Sequence, residues 1–292
     1  MNCIGKTVFK GKCVRGHDVE VLDCLVCGFK HLHPKPTEEE LEEYYKKEYF
    51  GKEKPDYSAE HKAIDGYWQQ VYSEQCEALE KTAMIPWTVL DVGCGRDPVF
   101  LRFVMDNNFG GFLNSDYVGI DPSLDRAQNS YEGYTIHPSW EGYEAAKGED
   151  APSVINLGFV LEHAGNPFEV LSKCAEHMSS KTSLLVEVPF DFNPIQGMVG
   201  GNHWVSSPDH LNYFTPTSLR QLLERCGLGV LHLRTTYPVE LLKIHGYDYS
   251  IDSSVGPQLN KRRGRLQELW RSSGMSQQTK IGRTVWAIAK LS

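Results

Sequence analysis

Two carboxylates and two glycines are spaced as a nucleoside-binding pocket requires. Residues 91–95 read Asp-Val-Gly-Cys-Gly directly after an apolar segment, and a second apolar segment ends in Asp121 and Pro122. Glycines let the backbone approach a ligand closely, and an acid at the end of the second strand can accept hydrogen bonds from ribose hydroxyls. The pattern therefore predicts a pocket for a nucleoside-type cofactor across the carboxyl ends of two neighbouring strands.

The same segment argues against a dinucleotide as the cofactor. The dinucleotide fingerprint, G-x-G-x-x-G, needs a third glycine where the pyrophosphate and the helix come close. Pro98 stands at that position, after Gly95. Because proline suits the first position of a helix, we expect a helix to begin here, and a ligand without a pyrophosphate fits the turn better.

The elements that position these residues alternate in type from Trp87 onward. Short apolar segments that alternate with helices form mostly parallel sheets covered on both faces. The expected fold class is therefore α/β, with a doubly wound sheet and a small Cys-containing N-terminal segment. The predicted strands lie at 88–92, 117–120, 153–159, 184–188, 228–233 and 285–289, and the predicted helices at 58–82, 99–107, 123–130, 167–178, 216–226 and 257–271.

Changes in composition predict the domain organisation. Residues 1–50 form a small Cys-rich module, residues 51–83 a linker and a helix, and residues 84–292 the cofactor-binding domain. Within that domain, 190–214 is a long stretch rich in Gly, Pro, His and aromatic residues, and 238–283 is an insertion before the last strand. Long irregular segments of a compact α/β domain often contact substrate, so we expect the first of them to act as a lid.

Composition and charge narrow the class of protein. Of the 292 residues, 40% are hydrophobic and 23% are charged, which is typical of a globular chain and not of a disordered one. No apolar run approaches the ~20 residues that span a bilayer, and the N-terminus lacks a signal pattern. We therefore expect a cytoplasmic protein without membrane contact. The net charge of −8 disfavours nucleic acid as a partner, because phosphate contacts need clustered cations; the basic run at 261–265 is interpreted as a solvated helix face.

Several segments together resemble the class I S-adenosylmethionine-dependent methyltransferases. Residues 91–95 look like the first motif of that family, and 119–122 look like its ribose-binding motif. Residues 156–163, which end in Leu-Glu-His, resemble the segment after the fourth strand, 210–219 the stretch after the fifth, and 285–290 the closing strand. The resemblance implies a seven-stranded, mostly parallel, Rossmann-like sheet with an antiparallel last strand, and S-adenosyl-L-methionine as the methyl donor.

The resemblance also implies which residues hold the donor. Asp97 could contact its amino group or only cap the following helix, and Trp140 could stack on adenine or belong to the core. Carried onto this sequence, the donor-binding residues are Asp91, Gly93, Cys94, Gly95, Asp97, Asp121, Pro122, Trp140, Gly158 and Phe159.

Within the family, the nearest likeness is to bacterial sugar and small-molecule methyltransferases with a zinc-ribbon-like N-terminal segment. Cys24 and Cys27 form one Cys-x-x-Cys pair, and sugar C-methyltransferases of this kind carry two such pairs on zinc. Here Cys3 has no second cysteine at that spacing. Because zinc needs four ligands, either Cys3 and Cys13 or Cys13 and His17 complete the set. The alternative is a metal-free remnant held by hydrophobic contacts.

Three histidines are candidates for the catalytic base. A hydroxyl acceptor must lose a proton when it is methylated, and a histidine that titrates near neutral pH is suited to take it. His163 follows the predicted fourth strand, His203 lies in the lid-like stretch, and His210 stands beside Asp209, which could orient its ring.

The expected function is methyl transfer to a hydroxyl of a sugar or glycan-linked small molecule. The alternatives are C-methylation of a nucleotide-linked keto-sugar, an NAD-dependent oxidoreductase or epimerase, and a non-catalytic binding module. Pro98 in the glycine turn counts against the NAD-dependent enzyme. The expected partners are a small-molecule or sugar-containing acceptor, with no nucleic acid and no membrane, and the chain is expected to be a monomer or a homodimer.

Overall fold

A computed structural model provides the structure for most of the chain. It describes residues 3–13, 16–44, 65–95, 98–110, 117–122, 130–131, 134–146, 148, 150–199, 209–247, 256–277 and 280–292. Asp97, His203 and nearly all of the helix predicted at 123–130 lie outside the described residues.

The described residues form twelve strands and nine α-helices. The strands are β1 (Gly5–Lys12), β2 (Asp18–Cys24), β3 (Lys30–Leu32), β4 (Val89–Val92), β5 (Tyr117–Ile120), β6 (Ser130–Tyr131), β7 (Tyr134–His137), β8 (Val154–Gly158), β9 (Ser183–Pro189), β10 (Asn212–Tyr213), β11 (Leu228–Thr235) and β12 (Thr284–Leu291). The helices are α1 (Glu38–Tyr44), α2 (Asp65–Leu79), α3 (Val99–Asp106), α4 (Trp140–Ala146), α5 (Pro167–Glu176), α6 (Gln196–Val199), α7 (Pro216–Arg225), α8 (Glu240–Ile244) and α9 (Gly256–Ser272). Within these residues, no helix has both the length and the apolar character needed to cross a membrane.

Eight strands form the main sheet, in the order β11-β12-β9-β8-β4-β5-β7-β6. β4 runs parallel to β5 and β8, β5 parallel to β7, and β8 parallel to β9, whereas β12 is antiparallel to both β9 and β11. β6 is a two-residue edge strand antiparallel to β7. The other seven strands confirm the predicted seven-stranded, mostly parallel sheet with an antiparallel last strand.

Apolar side chains cover both faces of this sheet. Because successive side chains of a strand point to opposite faces, Leu90 belongs to one core cluster and its neighbour Val89 to the other. The Leu90 cluster includes side chains of α5 and α7 together with Phe29 of the N-terminal segment, and the Val89 cluster includes side chains of α2 and α3. The N-terminal segment therefore shares its core with the main sheet.

A second, four-stranded sheet joins the N-terminal segment to the lid-like stretch. Its order is β1-β2-β3-β10, and β10 comes from residues 212–213, far along the chain. β3 and β10 are antiparallel, with His31 opposite Asn212. This pairing brings residues 209–213 next to the Cys-rich module.

The two helices after β8 and β10 begin at side-chain caps that the sequence encodes locally. At the start of α5, the Asn166 side chain accepts a hydrogen bond from the backbone N–H of Phe168, and Pro167 occupies the first turn. At α7, Thr215 and Ser218 each accept a hydrogen bond from the other's backbone N–H, which forms a capping box. These caps fix where the chain turns beside the carboxyl ends of the strands.

Candidate active site and metal centre

The glycine turn after β4 closes directly against the end of β5. Gly93 and Gly95 have φ values of 72° and 68°, and a Cβ atom on Gly93 would lie 2.6 Å from Val160 Cγ2. The N–H groups of Gly93 and Gly95 donate to the Ile120 carbonyl oxygen at 2.7 Å and to Asp121 Oδ2 at 2.7 Å, respectively. The turn thus needs glycine, and it lies beside the acid expected to meet a ribose.

Asp91 lies beneath this turn, and its environment favours the neutral acid. It is 3% exposed, and Asn156 Nδ2 donates to its Oδ1 at 2.7 Å. Burial, opposed by this hydrogen bond, raises the pKa of Asp91 to about 7. A cationic ligand above the turn would favour the carboxylate instead, so the protonation state of Asp91 would depend on the charge of the bound ligand.

Neither Cys94 nor Gly158 has a side chain that is well placed to contact a ligand. A Cβ on Gly119 would be 2.6 Å from Cys94 Sγ, so this thiol packs against β5, and burial raises its pKa. At Gly158, an added Cβ would make an ordinary 3.5 Å contact with Asn156 Nδ2. These two positions could therefore contact the donor only through backbone atoms. Pro122 lies exposed at the end of β5.

Trp140 and Phe159, the two aromatic residues expected to contact the donor, each lie against another ring. Trp140 begins α4, and the His177 ring stacks on it with centroids 5.1 Å apart and 4° between the planes. One face of the indole is thereby covered, so stacking on adenine could use only the other. Phe159 follows β8 with a φ of 58°, and its ring lies 5.3 Å from that of Trp68 in α2.

Beyond β8, the structure brings two of the three candidate histidines together. The rings of His163 and His210 are 5.0 Å apart and nearly perpendicular. His163 Nδ1 lies 2.7 Å from the Asp209 carbonyl oxygen, so Nδ1 carries the proton and Nε2 presents a lone pair. His210 Nδ1 lies 3.5 Å from Asp191 Oδ2. Burial lowers the pKa of His210, but Asp191, Asp209 and Glu162 outweigh it and raise the pKa overall.

Glu162 completes this cluster. It is 1% exposed, and neither of its carboxyl oxygens has a hydrogen-bond partner within the described residues. Oε1 lies 3.8 Å from His163 Nε2. Burial raises the pKa of Glu162 to about 8, and the nearby His210 opposes the rise. Glu162, His163 and His210 have ligand atoms within 4.8 Å of one another, so the cluster can share a proton with an acceptor placed between them.

Two acids of this site were missed from the sequence as functional residues. Asp209 was expected to orient the His210 ring. Instead, Asp191 makes the close contact with His210, and the backbone of Asp209 holds His163. Glu162 belongs to the Leu-Glu-His segment on which the resemblance rests, so the sequence did contain a signal for this residue. Asp191 lies two residues beyond β9, and only the folded chain brings it to His210.

Three cysteines and a histidine converge in the N-terminal module. Ligand atoms of Cys3, Cys24, Cys27 and His31 lie within 4.8 Å of one another. His31 Nδ1 lies 2.6 Å from the Leu32 carbonyl oxygen, and the buried Nε2 has no partner within the described residues. A histidine held in this way by a backbone carbonyl presents Nε2 to a metal. Three thiols and an imidazole are a tetrahedral zinc donor set, so these residues fit the ion.

The β1–β2 hairpin excludes Cys13 from this group. At one end of the hairpin Gly5 pairs with Cys24, while Cys13 and His17 lie at the other end, next to Asp18. The seven residues of β2 span about 20 Å, so neither Cys13 nor His17 can reach Cys24. Cys13 is buried in an apolar cluster with side chains of β2, β3 and β10, and His31 lies beside Cys3, Cys24 and Cys27 instead. The signal in the sequence is the short spacing from Cys27 to His31.

The thiols of the cluster differ in their readiness to ionise. Burial, together with the neighbouring thiols of Cys24 and Cys3, raises the pKa of Cys27 to about 12. At Cys24, burial acts in the same direction, but hydrogen bonds from backbone N–H groups outweigh it and lower the pKa. Cys27 N–H donates to Cys24 Sγ at 3.4 Å. Such N–H···S bonds are an outer layer that stabilises a metal-bound thiolate.

Three features are typical of an α/β protein that binds a nucleoside-type cofactor: the glycine turn after β4, Asp121 at the end of β5 and the mostly parallel sheet. A family model described as "Methyltransferase domain" matches residues 58–233, which is more than half of the chain. The chain belongs to this family and is an S-adenosylmethionine-dependent methyltransferase.

Several solved structures are similar to this chain at low sequence identity. A SAM-dependent methyltransferase from Archaeoglobus fulgidus is 20% identical, with 80% of this chain and 99% of that chain covered and a TM-score of 0.49. An S-adenosylmethionine-dependent methyltransferase from Mesorhizobium loti is 13% identical, with 73% and 95% covered and a TM-score of 0.41. The plantazolicin methyltransferase BamL, solved with a triazolic desmethylPZN analog and SAH, is 16% identical, with 81% and 86% covered and a TM-score of 0.45. No curated protein matches the chain.

Proposed function

We propose that this methyltransferase acts on a hydroxyl of a sugar or glycan-linked small molecule, with the Glu162–His163–His210 cluster as its proton acceptor. The observation that carries the proposal is the orientation of His163. Its Nδ1 donates to the Asp209 carbonyl oxygen, so Nε2, 3.8 Å from Glu162 Oε1, is the ring atom that would take a proton. Glu162 beside it has two buried oxygens without partners, so a hydroxyl that enters the cluster would satisfy atoms that are otherwise costly to bury.

The donor is proposed to lie across the ends of β4 and β5. Asp121 Oδ2 accepts from the Gly95 N–H, which holds this carboxylate against the glycine turn, where a ribose hydroxyl of the donor would meet it. Bound S-adenosylmethionine supplies an electrophilic methyl group on a sulfonium. The proposed donor contacts are those predicted from the sequence: Asp91, Gly93, Cys94, Gly95, Asp97, Asp121, Pro122, Trp140, Gly158 and Phe159.

In the proposed reaction the residues align the two substrates and move one proton. The acceptor oxygen forms a bond to the methyl carbon as the carbon–sulfur bond breaks, and its proton passes to His163 Nε2. Asp191, close to His210, keeps that ring oriented toward the acceptor. The products are a methyl ether and S-adenosylhomocysteine. Alignment of this kind, which needs no covalent intermediate, can supply several kcal/mol of the barrier.

A screen of sugar acceptors with the methyl donor tests this function. The expected product is heavier than the acceptor by one methylene, and the methyl carbon is attached to oxygen in the NMR spectrum. Calorimetry with S-adenosylhomocysteine and with NAD accompanies the screen. Binding of NAD, with no binding of S-adenosylhomocysteine, would overturn the proposed function.

C-methylation of a nucleotide-linked keto-sugar is the second candidate, and the metal centre favours it. Sugar C-methyltransferases of the resembling group carry an intact zinc module, and here Cys3, Cys24, Cys27 and His31 offer a complete donor set. A base would first remove a proton from the carbon beside the keto group. Uptake of solvent deuterium at that carbon, without methyl donor, distinguishes this reaction from O-methylation.

We also propose that zinc occupies the Cys3–Cys24–Cys27–His31 centre and that the enzyme works in the cytoplasm. All eight cysteines are free thiols, which is typical of a reducing compartment. The division into a metal module at 1–50, a linker and helix at 51–83 and a catalytic domain at 84–292 is part of the same proposal. Zinc analysis of the purified protein tests the metal: we expect about one equivalent per chain.

A further inference from the structure

Glu162, His163 and His210 offer one carboxylate and two imidazoles, a donor set that transition-metal ions use. Their ligand atoms lie within 4.8 Å of one another. Glu162 Oε1 is 3.8 Å from His163 Nε2. Two donors on one tetrahedral zinc ion, each at about 2.0–2.2 Å from it, lie ~3.4 Å apart. A closing movement of a few tenths of an ångström would therefore place these two atoms on one ion.

A contact behind the His163 ring fixes the nitrogen that faces Glu162. The Asp209 carbonyl oxygen lies 2.7 Å from His163 Nδ1, and a histidine held in this way presents Nε2 to a metal. In the proposed zinc centre, His31 is held in the same way by the Leu32 carbonyl oxygen, at 2.6 Å. The His163 ring thus has the outer layer of support that a metal-binding histidine needs.

Backbone hydrogen bonds hold the third ligand close to the other two. The N–H groups of Leu211 and Asn212 donate to the Glu162 carbonyl oxygen at 2.7 and 3.0 Å. The rings of His163 and His210 are consequently 5.0 Å apart and nearly perpendicular. Because these backbone bonds leave the three side chains out, the cluster is assembled before any ion binds.

The cluster is open on the side of its histidines, and its buried end is acidic. Glu162 is 1% exposed, whereas the side chains of His163 and His210 are 26% and 18% exposed. Asp191 is also buried, and its Oδ2 lies 3.5 Å from His210 Nδ1. A charged carboxylate is costly to bury unless a cation compensates it, so a divalent ion at the histidines would stabilise the charged forms of both acids.

We propose that Glu162, His163 and His210 form a second metal site, the imidazole site, which binds one divalent transition-metal ion. Imidazole suits ions such as Zn²⁺ and Ni²⁺, whereas Mg²⁺ prefers oxygen ligands, so the site should discriminate against Mg²⁺. The imidazole site has three protein ligands and no thiolate. It should therefore release its ion on dialysis, while the proposed zinc centre keeps its own.

An ion in the imidazole site would occupy the lone pair that is proposed to take the acceptor's proton. His163 Nε2 cannot hold the ion and the proton together, so the ion should inhibit methyl transfer. This inhibition rests on the proposed function, whereas the binding of the ion does not.

Titration with Co²⁺ tests the imidazole site without a known acceptor. The untagged, full-length protein, with zinc in the proposed zinc centre, is titrated with Co²⁺, and bound cobalt and retained zinc are measured by equilibrium dialysis. The absorption spectrum separates the two sites, because thiolate ligands add an intense near-ultraviolet band to Co²⁺ that carboxylate and imidazole ligands do not. His163→Ala removes one ligand, and Glu162→Gln keeps the shape of another without its charge. His245→Ala is the matched control, because His245 is an exposed histidine outside the cluster.

We expect the wild type to bind one Co²⁺ per chain beyond its zinc, with a spectrum that lacks the thiolate band. Loss of an outer-layer partner alone typically weakens metal binding by about 10- to 100-fold. Loss of a ligand should cost no less, so His163→Ala and Glu162→Gln should each weaken Co²⁺ binding by about tenfold or more. His245→Ala should bind like the wild type, and Ni²⁺ but not Mg²⁺ should displace the cobalt.

Three results would overturn the imidazole site: no cobalt bound beyond the zinc, a thiolate band that accounts for all of the bound cobalt, or unchanged Co²⁺ affinity in both ligand variants. The wild type alone decides the first two, so the test stands even where a variant does not fold. Methyl transfer at an unchanged rate with the site filled would overturn the inhibition.

Calorimetry with S-adenosylhomocysteine on the same samples separates this inference from the proposed function. Normal binding of S-adenosylhomocysteine, together with any of the three results, rejects only the imidazole site. Failure to bind S-adenosylhomocysteine rejects the proposed function, whatever the cobalt titration gives.

Discussion

Glu187 is a buried carboxyl between α2 and the main sheet, and we predict that Glu187→Gln stabilises the protein in mildly alkaline but not in acidic buffer. The residue is 2% exposed and accepts hydrogen bonds from Gln75 and Thr284. Burial raises the pKa of Glu187 from its ordinary 4.5 to about 7, and the two hydrogen bonds act in the opposite direction. Between these two values, the folded protein holds a proton that the unfolded chain has already released.

The sign and the size of the effect follow from that difference. Because the folded state binds more protons, this contribution to stability is complete below pH 4.5, falls as the pH rises, and levels off above about pH 7. A difference of about 2.5 pH units (7 − 4.5) at ~1.4 kcal/mol each corresponds to a loss of about 3 kcal/mol. Glutamine carries no titratable proton, and it can keep both hydrogen bonds if the Gln75 amide turns. The variant should therefore not lose this stability as the pH rises.

Urea unfolding of both proteins between about pH 5 and pH 8 measures this prediction. We expect the free energy of unfolding of the variant, relative to the wild type, to rise by about 3 kcal/mol across that range. The control is Glu77→Gln on α2, where a half-exposed carboxylate pairs with Arg271 and a change below about 1 kcal/mol is expected. The difference in free energy of unfolding between Glu187→Gln and the wild type could instead stay constant with pH or grow toward acidic pH. Either result would refute the conclusion that the buried Glu187 is protonated.

Three further predictions concern the candidate active site and the metal centre. His163→Ala and His210→Ala should each lower the turnover number by roughly 10²-fold or more, and wild-type initial rates in both variants would remove these histidines from the chemistry. Asp121→Asn should weaken S-adenosylhomocysteine binding about tenfold in calorimetry, because a charge-assisted acceptor is lost; an unchanged affinity would contradict the ribose contact. Cys24→Ser should reduce the zinc content from about one equivalent to below about 0.2 and lower turnover more than donor affinity, whereas full zinc content in this variant would reject the centre.

The parts of the fold that the sequence predicts are those determined by local pattern. The glycine turn after β4, the acid after β5 and the starts of the helices predicted at 167 and 216 depend on residues within a few positions of one another. β7 escaped prediction because Tyr134–His137 is short, with Ile136 buried beside the exposed Thr135, so it has no apolar run. β10 escaped for a different reason, since two residues become a strand only by pairing with β3.

The sequence predicted the types of residue in the candidate sites. It did not predict which of these residues meet, because that depends on the register of the strands. The sequence predicts His163, His203 and His210 as candidate bases, whereas the contact between His163 and His210 depends on how β10 is placed. Among possible metal ligands, Cys13 and His31 are both near the Cys-x-x-Cys pair along the chain. Only the antiparallel register of β1 and β2 puts Cys13 about a strand length away and leaves His31 within reach. Periodicity does not encode that choice.

Hydrogen bonds of β10 link the proposed metal centre to the proposed base cluster. His31 lies opposite Asn212 in the β3–β10 pair. The Asn212 side chain donates to the carbonyl oxygens of Leu161 and Ala164 at 2.8 and 2.7 Å. The backbone N–H of Asn212 donates to the carbonyl oxygen of Glu162 at 3.0 Å. The loop that carries the proposed base is therefore held by the strand that pairs with a metal ligand. Because the donor pocket at β4 and β5 makes none of these contacts, loss of the metal should disturb proton transfer first and donor binding last.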